Sequence, residues 1–128
     1  MKRLARHELK SEFSDIEPYV DKFTEKYPEF DKYAMIADLI NGNSVMWKGD
    51  KFFVIGRPNR YHNKEVFLIE ALGGEGPEEW LDLLPQIEEE VRVWGFPEIE
   101  FYGRLGWQKL FKGRGYSPEK IVMRKQLA

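Results

Sequence analysis

Residues 65–103 constrain the chain more than any other stretch, because they read as strand, glycine turn, long helix, strand. Residues 65–72 (EVFLIEAL) are apolar and strand-like. Gly73-Gly74-Glu75-Gly76 breaks that run, and Pro77 opens a helix toward Trp94. Trp80, Leu84, Ile87, Val91 and Trp94 recur on one helical face, the pattern of a helix packed on a sheet. Pro85 lies inside the helix, must remove one backbone bond, and predicts a kink. Gly95-Phe96-Pro97 stops the helix, and residues 98–102 (EIEFY) read as the next strand. A glycine turn leading into a helix N-terminus is a place where backbone N–H groups can hold an anion.

The rest of the chain supplies elements around this unit. Residues 2–8 read as a first strand with Leu4 inward. Asp15 is placed as the N-cap of a helix with Pro18 in its first turn. Ile16, Tyr19, Val20, Phe23 and Tyr27 form its apolar face, and Pro28 ends it. Asp31 caps a second helix with Tyr33, Ile36, Leu39 and Ile40 as its stripe, stopped by Asn41-Gly42. Residues 44–47 and 52–56 flank the polar turn Lys48-Gly49-Asp50-Lys51 and predict a hairpin. Residues 58–64 read as a polar loop. After the strand at 98–102, Trp107, Leu110 and Phe111 mark a short helix, and residues 120–125 (KIVMRK) read as a final strand. The order is β-α-α-β-β-β-α-β-α-β: an α/β (α+β) fold of one domain over residues 1–128, with a mixed, mostly antiparallel sheet covered on both faces.

Length and composition narrow the function. At 128 residues there is room for one core. With no cysteine, thiolate catalysis and zinc–thiolate sites are excluded. Neither His7 nor His62 has metal-like spacing to another ligand, so no metal site is expected. The basic N-terminus lacks a following apolar region, and no stretch has the roughly 20 apolar residues of a membrane span, so a cytoplasmic protein is expected. Charge is segregated: residues 65–100 hold eleven acids and one basic residue, while residues 101–128 hold seven basic residues and one acid. That late basic stretch, with Trp107 and Tyr116 among its charges, is the only nucleic-acid signal, and net acidity speaks against it.

The element order, together with the ending Leu110-Phe111-Lys112-Gly113-Arg114-Gly115-Tyr116 and Met123-Arg124-Lys125-Gln126-Leu127, resembles the GNAT superfamily of acyl-CoA N-acyltransferases. That superfamily's ending is L-Y-x-x-x-G-F … M-x-K-x-L. The runs GRLGW and GGEGPEEW also resemble small GNAT-like proteins of tailed phages. The resemblance implies a bulge that splays the central strand from its neighbour, with coenzyme A entering the gap. It implies that residues 68–72, with Leu68, Ala71 and Leu72, face the acyl group and pantetheine. It implies that Gly73, Gly74 and Gly76 wrap the pyrophosphate and that Arg104 meets a phosphate.

Three features depart from that pattern. The glycine turn lacks the Q/R-x-x-G-x-G/A pattern, contains no Arg, Lys or Gln, and carries Glu75, with Glu78 and Glu79 just behind it. Like charges at about 4 Å repel by roughly 4 kcal/mol at an effective dielectric of 20. Phe111 stands where a tyrosine often protonates the leaving thiolate, and Trp107 replaces a small residue beside the pantetheine path. For the chemistry, Glu70 on the central strand is the candidate base, its pKa raised by apolar neighbours. Tyr116, or Tyr102, is the candidate acid. Two readings result. One is an acyl-CoA-dependent N-acyltransferase acting on an amine or protein acceptor. The other is a non-catalytic module of the same fold that binds a protein partner or a second copy, as a phage accessory or virion component.

Overall fold

The computed structural model describes residues 1–103 and 106–128. A short strand β1 (Lys2–Arg3) leads through a 3-10 turn (Arg6–Glu8) into helix α1 (Leu9–Lys26), followed by α2 (Lys32–Ile40). Strands β2 (Val45–Lys48), β3 (Phe52–Arg60) and β4 (Glu65–Gly74) then form a meander, α3 (Pro77–Val93) crosses over, and β5 (Ile99–Phe101) and α4 (Trp107–Phe111) complete the elements. The five strands lie in sequence order; β1 to β4 are antiparallel and β5 joins β4 in parallel.

Alternation along the central strands sends side chains to two cores, one on each sheet face. Phe52, Val54, Phe67 and Ile69 meet Trp80, Leu84, Ile87 and Val91 of α3. Phe53, Ile55 and Ala71 meet Ile16, Val20 and Phe23 of α1 and Met35 and Leu39 of α2. Burying each large apolar side chain contributes about 1.5–3 kcal/mol, so these two layers dominate the stability. One buried polar group is built into them: the fully buried Trp47 donates from Nε1 to Glu90 Oε2 at 2.7 Å, and Glu90 also accepts from Arg3 Nε at 3.1 Å.

The helix α1 begins six residues before the expected cap at Asp15, so Pro18 sits inside it rather than in its first turn. Burial of Leu9 on the same face as Ile16, Val20 and Phe23 outweighs the local start signal at Asp15 and Pro18. Asp31 does cap α2, its carboxylate accepting from the Ala34 amide at 2.9 Å. The apolar stripe of α2 is rotated from expectation: Met35 and Leu39 are buried, whereas Tyr33 and Ile40 are exposed. The expected loop at 58–64 is shorter, because β3 and β4 pair out to Arg60 opposite Glu65 and leave residues 61–64 as the loop.

The expected final strand is absent. Residues 117–128 have no regular structure and are exposed, so the element order ends at α4. What precedes them is held to α3. Pro85 cannot bond the Leu81 carbonyl, and Arg114 Nη1 donates to that oxygen at 3.0 Å instead. Tyr116 donates its hydroxyl to Glu88 Oε2 at 2.6 Å.

Candidate functional site

The site is set by a one-residue insertion. Ile55 pairs with Ala71 and Gly56 with Ile69, leaving Glu70 as the extra residue of a bulge in β4. Pairing of β4 with β5 stops at Ile69 opposite Phe101. Residues 70–74 of β4 therefore run about 17 Å further with β3 on one side and, among the described residues, no strand on the other. The expected parting of the central strand from its neighbour takes another form here: β5 pairs with β4 along its whole length and ends at Phe101, so the gap is left by the end of a strand rather than by two strands splaying apart.

The ladder fixes which amides face the gap. The Glu75 amide donates to the Lys51 carbonyl at 2.8 Å. The alternation of an antiparallel ladder then directs the Gly73 amide to β3 and turns the amides of Leu72 and Gly74 toward the gap. Without the bulge this set would be inverted. The three glycines thus separate by role. Gly73 and Gly74 are strand residues opposite Phe53 and Phe52, not members of a loop. Gly76 alone is in the turn, left-handed (φ 66°), as the N-cap of α3. An anion-wrapping loop of three glycines is therefore not what the chain builds. The Glu79 carboxylate also lies over this turn, with Oε2 3.7 Å from where a Cβ on Gly76 would stand.

At the gap lies an open cavity of about 330 Å³. That is within the range of small-ligand sites. Residues 72–75 of β4 and its turn form its floor, with Pro77 and Trp80 of α3 on one side. Trp107 and Leu110 of α4 add to that side, and Tyr19, Lys22, Phe23, Lys26 and Tyr27 of α1 form the other. Trp107 is a wall rather than a plug: its indole stacks on Trp80 at 5.2 Å and 23° and packs on Phe101 and Phe111. The aromatic column keeps α4 against the sheet where β5 has ended.

The expected site residues divide around this cavity. Leu72, Gly73 and Gly74 line it; Leu68 and Ala71 are buried in the sheet, and Gly76 adjoins it in the turn. Arg104 lies outside the described residues. Glu70 projects on the α1–α2 face, where Arg57 Nε stands 2.9 Å from Oε2 and Asp38 is a second charged neighbour. Burial pushes the Glu70 carboxyl above the usual range, Arg57 opposes that rise, and Asp38 adds to it. Tyr116 is not at the cavity. It packs edge-on to Phe111 at 5.1 Å and is tied to Glu88, and burial followed by that carboxylate drives its phenol far above its ordinary value. Phe111 is buried. Lys22, Lys26, Tyr19 and Tyr27 were not identified from the sequence as site residues. Their helical spacing was visible, but only the fold puts that face of α1 over the end of β4.

No family model matches the sequence, and no curated protein matches it. Solved structures do match in fold. A probable acetyltransferase superposes with a TM-score of 0.69 at 15% identity, covering 98% of this chain and 95% of that one. An aminoglycoside acetyltransferase from an uncultured soil metagenomic sample, crystallised with trehalose, gives 0.67 at 13% identity, over 99% and 93%. An aminoglycoside N-acetyltransferase, AAC(6')-Iy, in complex with CoA gives 0.60 at 14% identity, over 99% and 93%. The chain has the fold of the GNAT-type acetyltransferases along its whole length.

Proposed function

We propose that this protein binds acyl-CoA in the gap beside residues 70–74 and transfers the acyl group to an amine. The single observation that carries the reading is the stretch of β4 beyond Ile69 that runs on past the end of β5, with two strand amides, Leu72 and Gly74, turned into a 330 Å³ cavity. An extended amide-bearing arm satisfies such amides as an added strand would. Trp80, Trp107 and Leu110 give that arm an apolar wall. A neighbour of the same fold holding CoA supports the choice of co-substrate.

In this reading the amine nitrogen attacks the thioester carbonyl, forming the C–N bond. Glu70, acting through water, takes the ammonium proton. The Glu70 pKa is raised by burial against the opposing Arg57, which makes its carboxylate a stronger base than an exposed one. Collapse of the tetrahedral species breaks the C–S bond, and the thiolate takes its proton from solvent, since Phe111 has none and Tyr116 is engaged with Glu88. An acyl-CoA co-substrate implies a cytoplasmic site of action.

The test is calorimetric titration with acetyl-CoA together with thiol release across a panel of amines. Micromolar binding is expected, weakened at least tenfold by Leu110→Arg, which fills the cavity from the exposed side of α4. Absence of binding at millimolar acetyl-CoA overturns the reading. The buried Phe111 and the engaged Tyr116 favour a second reading, a non-catalytic module of this fold in a phage accessory or virion role. Binding without thiol release for any amine selects it.

A further inference from the structure

We infer that the diphosphate of the co-substrate is held by Lys22 and Lys26 of α1 rather than by the glycine turn. This rests on the reading of the cavity as an acyl-CoA site. A diphosphate needs positive charge or several free amides in one place. The turn offers little of either. The Glu75 amide is bonded to the Lys51 carbonyl, the Glu79 amide to the Gly76 carbonyl, and Pro77 has none. Glu75, Glu78 and Glu79 add negative charge there.

Across the cavity the balance reverses. Lys22 and Lys26 lie one helical turn apart, their Cβ atoms about 6 Å from each other. Both line the cavity, and neither is in an ion pair among the described residues. Two other lysines that meet α1 are engaged: Lys32 is bridged to Glu17 and Asp21, and Lys48 to Asp15 and Glu12. The one acid that lines the cavity is Glu75, on the opposite rim. A ligand entering along Leu72 and Gly74 thus leaves the apolar wall and meets two unengaged ammonium groups beside Tyr19 and Tyr27.

The experiment titrates wild type and the double variant Lys22→Gln, Lys26→Gln with CoA, dephospho-CoA and acetyl-pantetheine, at low and high salt. Lys10→Gln, an exposed change near the start of the same helix, is the control. The expected result is about tenfold weaker CoA binding per lysine, an equal loss for dephospho-CoA, and no change for acetyl-pantetheine. The salt dependence of CoA binding falls in the double variant. Unchanged CoA affinity in that variant overturns the inference and leaves the acyl-CoA reading standing. Loss confined to CoA, with dephospho-CoA unaffected, also overturns it, because the lysines then hold the 3′-phosphate. Equal loss for all three ligands means a structural effect and overturns it too. Failure of every ligand on wild type removes the acyl-CoA reading and this inference with it.

Discussion

Gly74→Ala separates folding from ligand binding at the glycine stretch. Gly74 sits in β4 opposite Phe52 with φ 136°, where an L side chain is strained. A Cβ there would stand 2.2 Å from the Lys51 carbonyl oxygen and 2.4 Å from the Phe52 Cα. Both are backbone atoms, so no rotamer change relieves the overlap. The strain costs about 1–2 kcal/mol. Forcing the end of β3 away from β4 adds about 1–3 kcal/mol of overpacking against Phe52. It also loosens the Glu75–Lys51 bond, worth about 1 kcal/mol. The sum is about 3–6 kcal/mol, a large share of the roughly 5–15 kcal/mol available to a domain. Gly76→Ala is the matched comparison. Its φ is 66°, but the nearest atom to its Cβ, Glu79 Oε2, is 3.7 Å away on a mobile side chain. Only the conformational cost of about 1 kcal/mol remains. Urea unfolding followed by tryptophan fluorescence measures both. Equal losses for the two variants, or a loss under 1 kcal/mol for Gly74→Ala, would refute the reasoning that Gly74 is a close-packed strand residue.

Arg114→Ala leaves the Leu81 carbonyl without its donor and costs about 1–2 kcal/mol; in a Pro85→Ala background the cost falls, because an alanine N–H takes the same oxygen, and a double-mutant cycle reads the coupling. Glu90→Ala orphans the indole N–H of the buried Trp47 and costs about 1–3 kcal/mol, while Glu90→Gln, which keeps an acceptor, costs less; thermal unfolding of the pair checks the order. Transfer activity rises with pH through the raised Glu70 pKa, and Glu70→Gln abolishes that limb; a flat wild-type profile between pH 5 and 8 would remove Glu70 as base. The same group sets a stability slope. Between its unfolded pKa and the higher folded one, the unfolded chain has released a proton that the folded chain keeps, so stability falls as pH rises through that window. Glu70→Gln flattens the fall, which denaturation at a series of pH values detects.

Much was legible in the chain alone because it rests on periodicity and punctuation. The α3 stripe, the Asp31 cap, the Gly49 hairpin and the order from β2 to α4 are local patterns whose physics acts over a few residues. A parting of β4 from β5 was expected from family resemblance; the strand pairing shows instead that β5 ends at Phe101 while β4 runs on. Patterns that compete with packing were read less well. The start of α1 was set by the burial of Leu9, and the rotation of α2 by which side chains reach Phe53 and Ile55. The strand-like run at 120–125 has the right residues but pairs with no strand, which leaves β5 at the sheet edge, and a strand exists only through its pairing.

By itself the sequence determined the order of elements from β2 to α4 and the apolar stripe of α3, since each follows from the spacing of residues along one segment. Only the tertiary structure decided which amides of β4 face the gap, because one inserted residue at Glu70 reverses them. Only it showed that Trp107 forms a wall, that Tyr116 is bound to Glu88, and that Lys22 and Lys26 overlook the end of β4. Those are relations between residues far apart in the chain, and no local spacing encodes a distance across a fold.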